Sequence, residues 1–309
     1  MKIHRGLENL TGFKNAVVTN GTFDGVHIGH RKILSRIVEI AKEIDGETVL
    51  TTYSPHPRLI LFPEHNDLRL INTLEEKIEL ISSLGIDHLV IIPFTKAFSR
   101  LTSEHFVEEI LVNKIGTKKL VIGYDHHFGK NREGSFENLK AVAPIHGFEV
   151  EEIPKQDIDD VGVSSTKIRA ALFEGDMTTA NSYLGYDFLI SGKVAHGDKI
   201  GRTIGFPTAN IEVGDKTKII PANGVYAVSV KVLNENYNAM MYIGQRPTLN
   251  GQKISIEVNI FDFDGDIYGE YISVNVLKRT REDEKFPSLE SLKLALQNDE
   301  RQVKNFFNK

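Results

Sequence analysis

The stretch NAVVTNGTFDGVHIGHRKILSRIVEIAKEI, residues 15–44, places an apolar run, a glycine-containing loop and a long amphipathic segment in direct succession. The apolar run 16–20 is typical of a buried strand, and the apolar residues after the loop recur at helical spacing. These helix positions are Ile33, Leu34, Ile37, Ile40 and Ile44. The pattern predicts one strand and one helix, joined by the loop at residues 20–30.

The same alternation continues through the first half of the chain. Further strands are predicted in ETVLTTY, HLVIIPF, KKLVIG and FEVEEI, and helices in TLEEKIELISSLG, SEHFVEEILVNKI and SFENLKAVAPIHG. Alternating strands and helices indicate an α/β fold, in which helices cover both faces of a parallel sheet. Ligands of such sheets bind beyond the carboxyl ends of the strands, which is where the loop 20–30 is expected to lie.

The second half of the chain has a different pattern. The runs FLISGKVAHGD, GVYAVSVKVLN, NAMMYIG, KISIEVNIFDF and YISVNVLKRTR are strand-like and are joined by Gly, Asn and Asp turns. They predict a small antiparallel β-barrel, followed by a terminal helix in SLESLKLALQNDERQVKNFF. The Asp-Gly pair in DFDGDIYGE predicts a hairpin. We place the boundary after two short helices, giving domains at 1–184 and 185–309.

The loop 20–30 has the composition of a phosphate-binding turn. Gly21 and Gly25 permit close approach of a ligand to the backbone, and a helix start offers free N–H groups to an anion. His27 and His30 share one helix face, where two imidazoles can stabilise charge on phosphates. Two other interpretations stay open: imidazoles packed in an ordinary turn, and a zinc pair, although no zinc-type spacing links it to further ligands.

Two further segments carry groups that suit nucleotides. In SSTKIR, a hydroxyl-rich helix start is followed by Arg169, whose guanidinium suits phosphate; an ordinary N-cap is the alternative. In HGDKIGRTIGFPTANI, glycines form a loop able to close over a nucleotide, and Thr208 and Asn210 face the same way on an extended segment. These two side chains can share a magnesium ion with ATP phosphates; a turn-rich hairpin is the alternative.

The composition narrows the class of protein. The chain has 309 residues, a net charge of −5 and no cysteine. The acidic balance argues against a general nucleic-acid binder, and the lack of cysteine excludes disulfides and thiol catalysis. The start lacks the apolar core of a signal peptide, and no apolar run approaches the roughly 20 residues of a membrane helix. We expect a soluble, cytoplasmic protein without nucleic-acid or membrane partners.

Motifs in both halves resemble one known family. GTFDGVHIGH resembles the signature of the nucleotidyltransferase superfamily, and YSPHP, GYDHHFG and SSTKIR follow in the family's order. GRTIGFPTAN, NGVYAV and IGQRPT resemble riboflavin kinase signatures. Together these motifs are similar to the bacterial bifunctional riboflavin kinase/FMN adenylyltransferase (FAD synthetase) family, in the same order over almost the whole chain.

The resemblance implies an N-terminal Rossmann-like nucleotidyltransferase domain and a C-terminal riboflavin kinase barrel with a terminal helix. It implies that ATP phosphorylates riboflavin to FMN, and that AMP is then transferred from ATP to FMN, giving FAD and pyrophosphate. Mg²⁺ is the implied cofactor, and riboflavin, FMN and ATP are the implied small-molecule partners. An alternative is one active domain beside a flavin-binding or regulatory module. It is motivated by His126 and Asn259, which stand where the family usually has Phe and His.

Carried onto this sequence, the family's motifs assign catalysis to His27, His30 and Glu257, and magnesium to Thr208 and Asn210. Glu257 would accept the proton of riboflavin's terminal ribityl hydroxyl; a solvent-facing strand residue is the alternative. The implied nucleotide-binding residues are Gly21, Phe23, Asp24, Gly25, Asp125, Ser164, Ser165, Thr166, Arg169, Gly201, Arg202, Gly205, Thr208 and Asn210. The implied flavin-binding residues are His56, Pro57, Phe128 and Arg281.

Overall fold

The computed structural model describes residues 1–65, 67–124, 128–130, 133–154, 162–197, 200–248 and 251–308. The chain divides into two compact units. Unit 1 comprises Met1–Leu70 and Leu74–Ser164, and unit 2 comprises Ile71–Thr73 and Ser165–Lys309. A three-residue segment from the first half of the chain therefore belongs to the second unit.

Unit 1 is built on a parallel sheet of six strands. The strands are β1 (Lys2–Arg5), β2 (Ala16–Asn20), β3 (Thr48–Ser54), β4 (His88–Pro93), β5 (Thr117–Gly123) and β6 (Glu149–Ile153). They lie in the order β1-β4-β3-β2-β5-β6. The predicted parallel sheet is confirmed. The edge strand β1 was not predicted, because its sequence KIHR has no apolar run to mark it.

Helices cover both faces of this sheet. They are α1 (Ile28–Glu43), α2 (Pro57–Leu61), α3 (Leu74–Ser82), α4 (Ser103–His105, continued by Phe106–Ile115 as a π-helix) and α5 (Phe136–His146). One apolar cluster joins α1 and α3 to the sheet, and another joins α4 and α5 to it. Val17 belongs to the first cluster, and its neighbours Ala16 and Val18 to the second. Alternate residues of β2 thus pack on opposite faces, as the two-residue period of a strand requires.

Strand β2 lies where the strand order changes direction. From β2 the chain runs to β3 on one side of it, and later to β5 on the other side. The connections that leave the carboxyl ends of β2 and β5 therefore diverge and open a crevice, which is where ligands of such sheets bind. The loop between β2 and α1 occupies this position.

Unit 2 is a closed antiparallel barrel with the strand order β10-β11-β8-β7-β12-β9. Its strands are β7 (Phe188–Ala195), β8 (Ala209–Glu212), β9 (Gly224–Val232), β10 (Glu235–Thr248), β11 (Gly251–Ile260) and β12 (Tyr271–Glu282). Its helices are α6 (Ser165–Glu174), α7 (Met177–Leu184), α8 (Ile200–Thr203) and α9 (Leu289–Phe307). Val303 of α9 packs with Phe206, Met240 and Phe261 in one apolar cluster. The predicted barrel and terminal helix are both confirmed.

The hairpin predicted at DFDGDIYGE is wrong. Strand β11 pairs with β10 and β8, whereas β12 pairs with β7 and β9. The connection 261–270 therefore joins strands that are not neighbours. A tight hairpin instead links β9 and β10 through Leu233 and Asn234, whose φ angles are 50° and 66°. An Asp-Gly pair between two strand-like runs favours a hairpin, but it carries no information on which strands pair.

A buried lysine fixes the segment Ile71–Thr73 within unit 2. Lys218 is 3% exposed. Its Nζ donates to the carbonyl oxygens of Ile71 and Leu189, both at 2.6 Å. A buried ammonium is costly unless acceptors take its protons, so these carbonyls and the lysine stabilise one another.

Candidate active sites

The two histidines of the loop 20–30 form a stacked pair at the start of α1. His27 is the N-cap, and its Nδ1 accepts the backbone N–H of His30 at 3.4 Å. The two ring centroids lie 3.7 Å apart, with an interplanar angle of 18°. A capping side chain satisfies one of the N–H groups that a helix start leaves free. The cap therefore holds both imidazoles at the positive end of the helix dipole.

The turn before the histidines has an unusual backbone. Phe23 and Val26 have φ angles of 47° and 37°, and Gly25 has 90°. At Gly21, a Cβ would lie 2.9 Å from the Phe23 ring, so a side chain there would force that ring to move. Asp24, also in this turn, is 2% exposed. Non-glycine residues held at positive φ cluster at ligand sites, where the surrounding structure over-determines them.

His30 is an electrostatically unusual imidazole. Its Nδ1 has no hydrogen-bond partner in the described part of the chain, and the Phe23 ring lies 5.0 Å from its ring. Burial is the largest cause that holds the pKa of His30 well below its ordinary value, and the charges of His27 and Lys77 lower it further. His30 is therefore neutral at pH 7 and has one ring N–H to donate.

The residues predicted in the PHP motif have a local structural role. His56 is the N-cap of α2, and its Nδ1 accepts the backbone N–H of Arg58 at 3.2 Å. Pro57 is the first helical residue, a position that suits its missing N–H. Asp125, predicted to bind nucleotide, and the departure His126 lie outside the described residues.

Two other groups of predicted residues lie on or beside helices. Phe128 is 7% exposed, and its ring packs 5.4 Å from that of Phe106, within the apolar cluster of α4 and α5. Helix α6 begins at Ser165. The predicted nucleotide-binding residues here are Ser165, Thr166 and Arg169 in its first turns, and Ser164 immediately before it.

In unit 2, strands β8 and β11 bring the predicted kinase residues together. Glu257 lies directly opposite Asn210 in the register of these strands. The hydroxyl of Thr208 donates to Oε2 of Glu257 at 3.2 Å, and the hydroxyl of Ser255 donates to Oε1 at 3.1 Å. Two hydroxyls thus orient the two carboxylate oxygens. The group presents only oxygen-bearing side chains, which is the ligand chemistry that Mg²⁺ prefers.

Asn259, the departure from the family pattern, holds the segment that leads into this group. It is 8% exposed, and its Nδ2 donates to the carbonyl of Pro207 at 2.7 Å. It is two residues beyond Glu257 and therefore lies on the same face of β11. The amide thus fixes the backbone immediately before Thr208.

The glycine loop of unit 2 packs closely on the same group. A Cβ at Gly197 would overlap the side-chain amide of Asn210, and one at Gly201 would overlap the carbonyl oxygen of Phe206. Gly205 has a φ of 91°. Close approach or positive φ therefore requires glycine at all three positions. Arg202 lies between them on the short helix α8 and is exposed.

The contact at Gly197 predicts a selective effect on the kinase reaction. In Gly197→Ala, the new methyl group displaces the amide of Asn210, and we expect kcat/KM for ATP with riboflavin to fall by about 10- to 100-fold. Formation of FAD from added FMN should stay at the wild-type rate. Gly214→Ala is the matched control, because a Cβ there has nothing within 4 Å. Equal kinase rates in both variants would contradict the prediction.

Tyr242 lies beside Glu257 and was not indicated by any motif. Strand β10 places it opposite Glu257, and its hydroxyl donates to Oδ1 of Asp283 at 3.0 Å. Burial, with the carboxylates of Asp283 and Glu257, raises the pKa of Tyr242 to about 12. The hydroxyl therefore stays protonated and remains a donor. Only the pairing of β10 with β11 would have indicated this position.

Arg281, predicted to bind flavin, forms an ion pair with Asp299 of α9. Its Nε and Nη2 donate to the two carboxylate oxygens, both at 2.8 Å. Asp299 is 1% exposed. Bidentate pairs of this kind fix geometry as well as adding energy, so the pair fastens α9 to β12. The assignment of Arg281 to flavin stays a prediction.

Neither a larger metal-binding cluster nor a membrane-spanning helix occurs among the residues that the structure describes. No group of three or more His, Cys, Asp or Glu side chains there could hold a metal ion, so the zinc interpretation of His27 and His30 gains no third ligand among them. None of the helices described is long and apolar enough to span a bilayer.

Comparison with known proteins covers both units. The FAD synthetase family model matches residues 11–167, and the riboflavin kinase model matches residues 184–307. A bifunctional riboflavin kinase/FMN adenylyltransferase of Escherichia coli K12 is 36% identical over 310 residues, covering 99% of this chain and 98% of that protein. One with the same name from Listeria monocytogenes is 39% identical over 296 residues, covering 96% of this chain and 93% of that protein.

A solved structure gives the same picture of the fold. The crystal structure of a protein described as a macrolide-efflux protein from Streptococcus pneumoniae has a TM-score of 0.90 and 32% identity, and covers 99% of each chain. The two family models match this chain in the order that the motifs predicted, and the relatives align along nearly its whole length. The chain therefore belongs to the bifunctional riboflavin kinase/FMN adenylyltransferase family, with its FAD synthetase domain first and its riboflavin kinase domain second.

Proposed function

We propose that unit 2 phosphorylates riboflavin at the carboxylate of Glu257, and that unit 1 adenylylates the resulting FMN at the histidine pair of α1. We assign one reaction to each unit because each unit contains its own cluster of side chains suited to binding phosphates. In unit 1 it is the stacked imidazoles at a helix start, and in unit 2 it is the oxygen-rich group around Glu257. We also place the enzyme in the cytoplasm, where ATP, the co-substrate of both proposed steps, is available.

In the kinase step, the terminal ribityl hydroxyl of riboflavin attacks the γ-phosphorus of ATP as the bond to the β-phosphate oxygen breaks, releasing ADP. Glu257 accepts the hydroxyl proton, and the hydroxyls of Thr208 and Ser255 keep its oxygens oriented. Thr208 and Asn210 offer oxygens that would hold Mg²⁺ with ATP. Bound there, the ion supplies positive charge to the phosphates. The loop that contains Gly201, Arg202 and Gly205 would cover the nucleotide.

In the adenylylation step, a phosphate oxygen of FMN attacks the α-phosphorus of ATP as the bond to pyrophosphate breaks. Transfer of this kind depends on positioning and electrostatics rather than on an enzyme nucleophile. His27 and His30 donate to the phosphates at the helix start. The turn 21–25 would let the nucleotide approach its backbone. The resemblance also assigns Ser164, Ser165, Thr166, Arg169 and Asp125 to the nucleotide, and His56, Pro57 and Phe128 to the flavin.

The test is to incubate the purified protein with riboflavin, ATP and Mg²⁺ and to separate the flavins by chromatography. FMN should appear first and FAD after it, and a chelator of divalent cations should prevent FMN formation. Formation of neither flavin would overturn the proposal. Formation of FMN without FAD would instead leave unit 1 as a flavin-binding module.

A further inference from the structure

Lys77 is a buried cation that the proposed reactions leave unused. It lies on α3 and is 7% exposed. Its Nζ donates to the carbonyl oxygen of Thr22 at 2.7 Å. Burial lowers the pKa of Lys77, and the carboxylate of Asp24 opposes this shift. Burying an ammonium group costs free energy. We therefore expect the role of this side chain to lie in the turn that Lys77 contacts.

The carbonyl that Lys77 holds lies at the base of the unusual turn. Thr22 immediately precedes Phe23, the first residue of positive φ in this turn. The hydroxyl of Thr52 also donates to the Thr22 oxygen, at 3.2 Å. A charged donor and a neutral donor therefore converge on one carbonyl. Non-glycine residues keep a positive φ only where contacts with surrounding residues stabilise that conformation. The bonds from Lys77 and Thr52 fix the start of the turn.

The turn at residues 21–25 also determines where the imidazoles of His27 and His30 lie. The Phe23 ring lies 5.0 Å from the ring of His30, which stacks on His27 at 3.7 Å. A continuous set of contacts therefore runs from the ammonium of Lys77, through the carbonyl of Thr22 and the ring of Phe23, to the histidine pair. Movement of the turn would change the position of the imidazoles relative to a bound phosphate.

We propose that Lys77 is a positioning residue for adenylyl transfer, which holds the carbonyl of Thr22 so that Phe23 and the stacked imidazoles keep the geometry that receives the ATP phosphates. This inference rests on the proposed function of unit 1. It assigns Lys77 no contact with substrate: its ammonium acts through the turn and through its charge.

The first test is Lys77→Met, which removes the donor and the charge and keeps an unbranched apolar side chain. We expect kcat for FAD formation from FMN to fall by about 100-fold, since a small misplacement of catalytic groups is enough for that loss. KM for FMN should change little. Thr52→Val removes only the neutral bond to the same carbonyl, and we expect a fall of about five- to tenfold. Riboflavin phosphorylation by unit 2 measures the concentration of active protein, and circular dichroism with thermal melting checks that unit 1, which contains Lys77, is folded.

A second readout separates the charge from simple loosening of the turn. The charges of His27 at the helix start and of Lys77 on α3 lower the pKa of His30, and Asp24 in the turn interacts with Lys77. Removing the ammonium must therefore raise that pKa. In an NMR titration of the histidine ring protons, Lys77→Met should raise it more than Thr52→Val does. Lys77→Arg keeps charge and donor, and should retain the low pKa and much of kcat.

The outcomes separate this inference from the function on which it rests. If the wild-type protein forms no FAD, the proposed function of unit 1 fails. If the wild-type protein forms FAD but Lys77→Met matches it in kcat and in the titration of His30, only the role of Lys77 is overturned. Should the methionine variant not fold, as judged by circular dichroism and thermal melting, Lys77→Gln replaces it. Glutamine removes the charge but keeps an N–H donor, so the pKa of His30 should still rise, and an unchanged pKa would overturn the role of the charge.

Discussion

The double variant His27→Ala/His30→Ala should convert riboflavin to FMN and stop there, so that FMN accumulates and FAD formation falls by at least about 1,000-fold. Removal of a single preorganised donor to a developing negative charge costs about 100- to 1,000-fold in rate, and this variant removes two stacked donors. Flavins separated by chromatography over a time course give both rates from one sample.

His27 also caps α1, so a control for folding is needed. Loss of an N-cap costs about 1 kcal/mol of stability, and alanine at this position removes cap and imidazole together. His27→Asn keeps a side chain that caps well but has no imidazole. It should retain the wild-type melting temperature and still lose FAD formation. A His27→Asn enzyme with normal FAD formation would show that His27 serves only as a cap.

Glu257→Gln should have the opposite effect and block FMN formation from riboflavin while added FMN still yields FAD. General bases contribute about 100- to 10,000-fold, and we expect a loss within that range. Glutamine keeps the shape of glutamate, and the hydroxyls of Thr208 and Ser255 can each either donate or accept. The group can therefore remain assembled without its base.

The matched control for this variant is Ser255→Ala. It removes one bond that orients the carboxylate, at 3.1 Å, but leaves the base and Thr208 in place. We expect a loss of about tenfold, the lower end of what one hydrogen bond to a charged group contributes. If Ser255→Ala lost as much activity as Glu257→Gln, orientation rather than proton transfer would explain the effect. If either variant also lost FAD formation from FMN while folded, the assignment of one activity to each unit would be wrong.

Much of the fold could be predicted because its signals are local. The strand 16–20 and the helix after it are marked by periodicity alone, and the glycines of the intervening loop mark its turn. Pairing of strands is not local. The Asp-Gly pair after β11 favoured a hairpin, but only the barrel order shows that β11 and β12 are not neighbours.

In the candidate sites, too, residues within local motifs could be predicted and residues brought in from distant elements could not. His27, Glu257 and Thr208 lie in motifs, so their residue types and spacing indicated them. Tyr242 reaches Glu257 only through the register of β10 on β11. Lys77 reaches the turn from a helix more than fifty residues along the chain. Tyr242 and Lys77 lie on other strands or helices and contact the motif residues only in the folded protein. The spacing of residues within a motif therefore does not indicate them.

The contact of Lys218 with the segment Ile71–Thr73 bears on how the two enzymes can be separated by engineering. The barrel unit includes three residues that the chain supplies long before Ser165. A kinase module cut out at any single peptide bond after residue 73 would keep the buried ammonium but lose the carbonyl of Ile71 as one of its acceptors. The barrel unit of the bifunctional protein therefore takes one structural contact from a segment that lies, in sequence, between the two parts of the first unit.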